Sequence, residues 1–168
     1  MKKNVCYFGL ILLGIWSRLM PHPPNFTALA AVAFFAADKI PNKKIAFAIP
    51  LITLALSDAV LGWHSTLPFV YLGFILTGVL GLRFGASNAH RALGLAASSV
   101  SFFLISNFGV WLTSGLYPRH LAGLAACYTA AIPFFRNEFL GTLLYGGAFY
   151  LVSYWVEKSE RAASAQEA

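Results

Sequence analysis

The sequence predicts an all-α polytopic membrane protein, a bundle of six transmembrane helices plus one short outer or re-entrant helix at about residues 121–135. Composition is the first observation behind this prediction: 58% of the 168 residues are hydrophobic, 11% are charged and the mean hydropathy is +0.68. Soluble domains carry about 25% charged residues. The apolar residues also form long blocks without the alternation of an amphipathic surface element, and the basic residues flank those blocks.

The first two blocks lie at about 4–20 and 26–38 and are separated by the breaker PHPPN. Lys2 and Lys3 precede the first block as they would in a signal peptide. No small-x-small cleavage pattern follows the block, so we expect a retained first helix. The second block, FTALAAVAFFAAD, is short and rich in alanine, and KIPNKK ends it.

The third to fifth blocks lie at about 44–62, 68–84 and 92–114, and the last lies at about 138–156. A span needs about 20 apolar residues, and the stretch 121–135 between the last two blocks is short for that role. We therefore expect 121–135 to stay at the outer surface or to re-enter. Residues 1–156 then form a single transmembrane domain, and 157–168 form a polar cytoplasmic tail.

The lysines predict the orientation. With six crossings and 121–135 on the far side, all six lie on one side of the membrane: Lys2, Lys3, Lys39, Lys43, Lys44 and Lys158. The positive-inside rule then places both termini in the cytoplasm. A seventh span at 121–135 would move Lys158 and Arg161 outside and weaken the asymmetry.

Several function classes are disfavoured. The net charge is +6 and the pI is near 9.6, but no basic stripe with interleaved aromatics indicates nucleic-acid binding. No nucleophile elbow, HExxH or Walker loop is present, so we predict that the chain is not an enzyme and does not hydrolyse ATP. Cys6 and Cys127 fall on opposite sides, which disfavours a disulfide, and no spacing indicates a metal. We expect no cofactor.

Uncommon polar and aromatic residues gather at the predicted outer side. Asn107 is the most unusual, because it lies in the apolar run FFLISNFGVW and an amide is costly to bury without partners. Asp58 lies one turn from the outer end of the third helix, and an ionisable residue within a span is a candidate functional group. The predicted ligand-binding residues are Asn25, Asp58, Trp63, His64, Asn107, Trp111, Tyr117, Arg119, Tyr128 and Asn137.

Each of these residues also has an ordinary structural interpretation. Asn107 is either a bond between helices or a ligand contact, and the aromatic residues are either ligand contacts or part of an interfacial belt. Asp58 either has a functional role or forms a structural ion pair with an outer arginine, which would be Arg18, Arg119 or Arg136. The pair Ala33 and Ala37 on the second helix indicates close packing within the chain or a docking face for another subunit.

The segments PHPPNFTALAAVAFFA, LSDAVLGWH and FFLISNFGVWLTSGLYPRHLAGLAACYTAAIPFFRNEFLG resemble a family of small bacterial membrane proteins described as transport proteins. The resemblance covers roughly residues 18–150. That family is in turn distantly similar to the S components of energy-coupling factor (ECF) transporters, which bind micronutrients near the outer face and usually dock on a transmembrane component with two ATPases. The resemblance implies that this chain forms a six-helix bundle with an outward-facing pocket in the bacterial cytoplasmic (inner) membrane. S components commonly carry an alanine-x-x-x-alanine docking motif on the first helix, whereas this chain has Gly9 and Gly14 there.

We therefore expect a solute-binding or transport protein that takes a small micronutrient-like ligand. Two alternatives remain open. One is an assembly subunit without a ligand that binds another membrane protein through its small-residue helices. The other is a membrane enzyme that uses Asp58 with His64 or His22 at the outer interface.

Overall fold

The computed structural model describes the backbone of residues 2–166 and the side chains of residues 8–162 and 164. Within that range it consists of six helices and no strands, which confirms the all-α prediction. The helices are α1 (Lys2–Leu19), α2 (Leu29–Lys39), α3 (Lys43–Leu61), α4 (Leu67–Arg83), α5 (Asn88–Thr113) and α6 (Leu121–Gln166). By length and composition, three of them, α3, α5 and α6, are able to cross a membrane, and α1 and α4 contain shorter apolar helices.

The prediction of a separate short helix at 121–135 is wrong. Residues 121–135 form the first part of α6, which continues without a break through Pro133 for 46 residues. The polar residues at the expected boundary lie within the continuous helix. Asn137 donates to the Pro24 carbonyl of the segment before α2, and Glu138 accepts hydrogen bonds from Ser99 of α5 and Thr142 of α6. At 1.5 Å per residue the helix is roughly 70 Å long, so it extends well beyond a hydrocarbon core of about 30 Å. The predicted tail is also helical as far as Gln166.

Helix α2 is the centre of the bundle and packs against each of the other five helices. Its buried residues are mostly small: Leu29, Ala30, Ala31, Val32, Ala33, Phe34, Ala36 and Ala37. Small side chains allow backbones to approach closely, so an alanine-rich helix suits a position enclosed on all sides. The alanine pair on α2 is therefore an internal packing surface and not a docking face. With 11 residues, α2 is roughly 16 Å long, and the non-helical segment 20–28 precedes it.

Most of the described basic residues lie at one end of the bundle, which we call the basic end. There Lys39 pairs with Glu157 at 2.9 Å, and Asp38 accepts hydrogen bonds from Arg91 at 3.0 Å and from the Tyr150 hydroxyl at 2.8 Å. These contacts join the end of α2 to the start of α5 and the last third of α6. The opposite end, which we call the cavity end, contains the ends of α1, α3 and α5 and the starts of α2, α4 and α6.

The interior combines apolar residues with several small polar ones, while the exterior is apolar. Buried polar residues include Ser17, Thr53, Thr77, Ser98 and Thr142. Several of their hydroxyls donate to a carbonyl one turn earlier in the same helix, as Thr53 does to Ile49 at 2.9 Å. Large apolar side chains such as Leu56, Val60 and Leu144 are more than half exposed. An apolar exterior of this kind favours contact with hydrocarbon over contact with water.

Gly81 provides a test of the close approach between α2 and α4. A Cβ atom at Gly81 would meet the backbone carbonyl oxygen of Phe34, which cannot rotate away. We expect Gly81→Ala to lower the free energy of unfolding by about 1–3 kcal/mol, as overpacking does in other cores. Gly147→Ala on α6 is the matched control, because its Cβ would meet nothing within 4 Å. Equal thermal stability of the two variants in detergent would contradict the packing described here.

Candidate functional site

A cavity of about 680 Å³ lies at the cavity end of the bundle. All six helices and the segment 20–28 contribute to its wall, so it forms where the helix ends diverge. Its polar lining side chains include Arg18, His22, Asn25, His64, Asn107 and Glu138. Its apolar surface includes the aromatic rings of Phe74, Phe102 and Phe134.

The non-helical segment between α1 and α2 forms part of the cavity wall. Asn25 has a left-handed backbone conformation with φ of 64°, which asparagine tolerates better than most residues. The turn is held by backbone bonds from Phe26 to Pro23 and from Thr27 to Asn25. Asn137 on α6 donates to the Pro24 carbonyl at 3.1 Å and ties the turn to the bundle. Irregular backbone at membrane depth is tolerated where it lines a cavity.

An ion pair joins α1 to α3 at the edge of the cavity. Arg18 donates to the Asp58 carboxylate and to the Ser57 hydroxyl, each at 2.7 Å. Asp58 is 1% exposed, whereas the Arg18 side chain is 17% exposed and lines the cavity. The prediction that an outer arginine pairs with Asp58 is confirmed, and the partner is Arg18. Asp58 itself does not line the cavity, and its link to the cavity wall is its ion pair with Arg18.

Glu138 is a buried carboxyl group on the cavity wall. Its residue surface is 6% exposed, and its Oε1 atom accepts hydrogen bonds from Thr142 at 2.9 Å and Ser99 at 3.3 Å. Its Oε2 atom is buried and, among the described residues, has no hydrogen-bond partner. Ionisable residues within apolar helices commonly mark functional positions. Glu138 lines the cavity, so the unpartnered oxygen belongs to a side chain of the cavity wall.

Asn107 lines the cavity, and its amide is only partly satisfied by the protein. Its Nδ2 atom donates to the Phe103 carbonyl of the same helix at 2.8 Å. Its side chain makes no bond to another helix among the described residues, so Asn107 does not join helices through its amide. The Oδ1 atom remains available as an acceptor at the cavity surface.

Three other predicted site residues hold the surroundings of the cavity and do not line it. Trp111 donates its indole N–H to the Pro118 carbonyl at 3.0 Å, and Arg119 donates to the Leu112 carbonyl at 2.9 Å, so both fix the loop after α5. The Tyr128 hydroxyl donates to the Leu104 carbonyl at 2.6 Å and joins α6 to α5. Tyr117, in the same loop, does line the cavity.

Trp63 and His64 lie at the rim. Trp63 is 72% exposed and lines a shallow surface depression with His64 and Tyr71, separate from the main cavity. His64 lines both and shares a hydrogen bond of 2.6 Å with the Thr66 hydroxyl. His22, on the opposite wall, is 2.7 Å from the Pro23 carbonyl. Neither histidine is hydrogen-bonded to Asp58.

The structure thus brings four of the ten predicted residues to the cavity wall: Asn25, His64, Asn107 and Tyr117. Sequence reasoning missed Glu138 and Arg18 as site residues, although both are ionisable groups at a helix end or within an apolar block, which is a usable signal. Among the described residues, no group of three or more His, Cys, Asp or Glu is placed to hold a metal ion. Cys127 is buried and free, and the side chain of Cys6 lies outside the described residues.

These features define a helical bundle with candidate membrane spans, an apolar exterior and a ligand-sized cavity at one end. Residues 1–165 match the family of unknown function DUF6580, and the chain belongs to that family. No curated protein and no solved structure matches the chain.

Proposed function

We propose that this chain is a membrane solute-binding or transport protein that takes a small micronutrient-like ligand in the cavity at the cavity end. The cavity itself is the observation that carries the proposal. Its volume of about 680 Å³ lies within the range of roughly 300–1,000 Å³ that is usual for ligand pockets. Its aromatic rings and few polar groups also match the usual composition of such pockets.

The direction of the cavity supports uptake from the outside. If the chain crosses a bacterial cytoplasmic membrane six times, the positive-inside rule places the basic end and both termini in the cytoplasm. The cavity then opens outward. Helix α2 begins at the cavity with Leu29 and Ala30, and transporters commonly build their sites where an interrupted helix ends.

The source of energy is part of the same proposal. We base this part on the sequence resemblance described above, since S components of ECF transporters usually dock on a transmembrane component with ATPases. On α1, Gly14 packs within the bundle, since its Cβ would lie 2.7 Å from Thr53 Cγ2, whereas Gly9 has open space around it. The free surface beside Gly9 is the part of α1 that remains for such docking, and a solitary transporter is the other form of this proposal.

Native mass spectrometry of the protein purified in mild detergent from its own host tests the proposed function. A retained small molecule of definite mass would support ligand binding, and co-purified ATPase subunits would identify the energy source. A stoichiometric membrane partner without a small molecule would instead favour the assembly subunit.

Asn107→Ala gives a more local test. We expect it to weaken binding of the retained ligand about fivefold, which corresponds to one hydrogen bond of about 1 kcal/mol. Thermal stability should change little, because the lost bond is local to α5. Thr113→Ala is the matched control on the same helix, since the Thr113 hydroxyl donates to the Gly109 carbonyl at 2.8 Å in the same manner and Thr113 does not line the cavity. Equal effects of the two substitutions on affinity would remove Asn107 from the binding surface.

A further inference from the structure

We propose that the ligand carries a protonated nitrogen, and that the Glu138 carboxylate binds it through Oε2. This inference rests on the proposed function and names the chemical class of its ligand. The class is a small organic cation, an ammonium or amidinium group attached to an aromatic or apolar body.

The first step concerns hydrogen bonding. Thr142 and Ser99 both donate to Oε1, so these two hydroxyls hold the carboxyl group in one orientation. Oε2 is left without a partner among the described residues although it is buried. Leaving a buried polar atom unsatisfied costs about 1–3 kcal/mol, and more for a charged group. A ligand that donates an N–H to this oxygen removes that cost.

The second step concerns charge. No lysine, arginine or histidine nitrogen among the described residues lies within 4 Å of the Glu138 carboxyl. Arg18 is the one arginine or lysine on the described cavity wall, and Asp58 already pairs with it at 2.7 Å. The charges of that pair cancel, and Glu138 is the one carboxyl group on the described cavity wall. A cationic ligand favours the ionised form of this group, and the Glu138 carboxylate then balances the charge of the ligand. A buried charge is usually paired, and here the ligand supplies the opposite charge.

The start of α2 does not reverse this balance. Leu29 and Ala30, which open the helix, line the same cavity. A helix N-terminus carries a partial charge of roughly +0.5, which is smaller than the full charge of a carboxylate. With Glu138 ionised, the cavity remains negative on balance, and the free N–H groups of this first turn suit an acceptor atom elsewhere on the ligand.

The third step concerns the body of the ligand. Phe74 and Phe102 lie together on the wall with their ring centroids 4.8 Å apart, and Phe134 lines the cavity one helical turn before Glu138. Aromatic faces attract cations and also pack against flat apolar groups. A ring or short apolar chain next to the charged nitrogen therefore contacts Phe134 while the nitrogen reaches Glu138.

Three probes of similar size and different charge test this proposal: benzylammonium, benzyl alcohol and benzoate. Binding of each at millimolar concentration to the full-length protein in lipid nanodiscs is measured by saturation-transfer NMR and calorimetry near neutral pH. We expect benzylammonium to bind most tightly. Glu138→Gln keeps the size and one carbonyl oxygen but removes the charge, and we expect it to weaken benzylammonium about 10- to 100-fold while benzyl alcohol is unaffected.

Glu160→Gln is the matched control, because it makes the same change on α6 at an exposed position near the basic end. Unchanged thermal stability of Glu138→Gln shows that the variant folds, and Glu138→Asp serves as a second variant if it does not. Preferred binding of benzoate or benzyl alcohol, or equal benzylammonium affinity in Glu138→Gln and Glu160→Gln, would overturn the cationic class. In that case the proposed function stands if binding still depends on Asn107. Failure of all three probes to bind would overturn the proposed ligand class, whereas the proposed function is overturned only if native mass spectrometry also finds no retained small molecule.

Discussion

Arg18→Ala is expected to lower the free energy of unfolding by about 3–5 kcal/mol, the usual cost of removing one partner from a buried ion pair. The reason is the position of Asp58, which is 1% exposed and has Arg18 as its only ion-pair partner among the described residues. Without the guanidinium, the carboxyl group and the Ser57 hydroxyl beside it both lose a donor at 2.7 Å. Thermal or denaturant unfolding in detergent, followed by loss of helix signal, measures the effect.

Arg119→Ala is the control for this prediction, because it makes the same substitution in another arginine of the cavity end. Arg119 is exposed and donates to a backbone carbonyl, so we expect a change of about 1 kcal/mol or less. A double variant, Arg18→Met with Asp58→Leu, should recover much of the stability, since replacing a whole buried pair by apolar groups is often neutral or stabilising. Equal losses in Arg18→Ala and Arg119→Ala, or a double variant no more stable than Arg18→Ala, would show that the pair does not act as a unit.

Asp58 also illustrates what the sequence allows to be predicted about the site. Its depth in the third helix and its need for a cation follow from hydropathy and charge alone, and three arginines were available at that end. Which arginine pairs with it depends on the rotation of α1 against α3, and hydropathy carries little information on that rotation. The close packing of Gly14 against Thr53 brings these helices together one turn before Arg18.

The limits of the fold prediction have the same origin. The blocks for α3, α4 and α5 were located to within a few residues, because their ends coincide with charges, prolines and the caps Asn42 and Ser87. The break expected before residue 138 is absent. It was expected because 121–135 is short for a span, but polar residues at the expected boundary form contacts that hold one continuous helix. Their partners lie far along the chain, as Ser99 does for Glu138. Tertiary contacts of this range override local signals.

Some residues of the candidate site could be predicted from the sequence and others could not. Asn107 and His64 were placed at the cavity by their depth in the predicted helices, since depth follows from helix length and orientation. Trp111 lies one turn nearer the end of α5 on the same helical face by spacing, yet its indole N–H donates to the Pro118 carbonyl. The spacing of residues in a helix does not show that a loop carbonyl accepts a hydrogen bond from a tryptophan of that helix.

The second large effect is expected from Ala33→Leu. Ala33 is 1% exposed and packs with Leu29, Leu54 and Phe74 in one cluster at the centre of the bundle. Leucine adds three carbon atoms where α2 is enclosed on all sides, so we expect a loss of about 3 kcal/mol, near the upper end of the usual cost of overpacking. The measurements are the yield of monodisperse protein in detergent and its melting temperature.

Ala126→Leu is the control, because the same carbon atoms are added at an exposed position on α6. Its free energy of unfolding should lie within about 0.5 kcal/mol of that of the unchanged protein, as is usual for surface substitutions. The comparison separates two roles for the alanine-rich helix. If α2 is the core of the bundle, Ala33→Leu impairs the isolated protein itself. Had α2 been a docking face, the isolated variant would melt normally and only its complex with another membrane protein would be lost, so normal melting would contradict the fold described here.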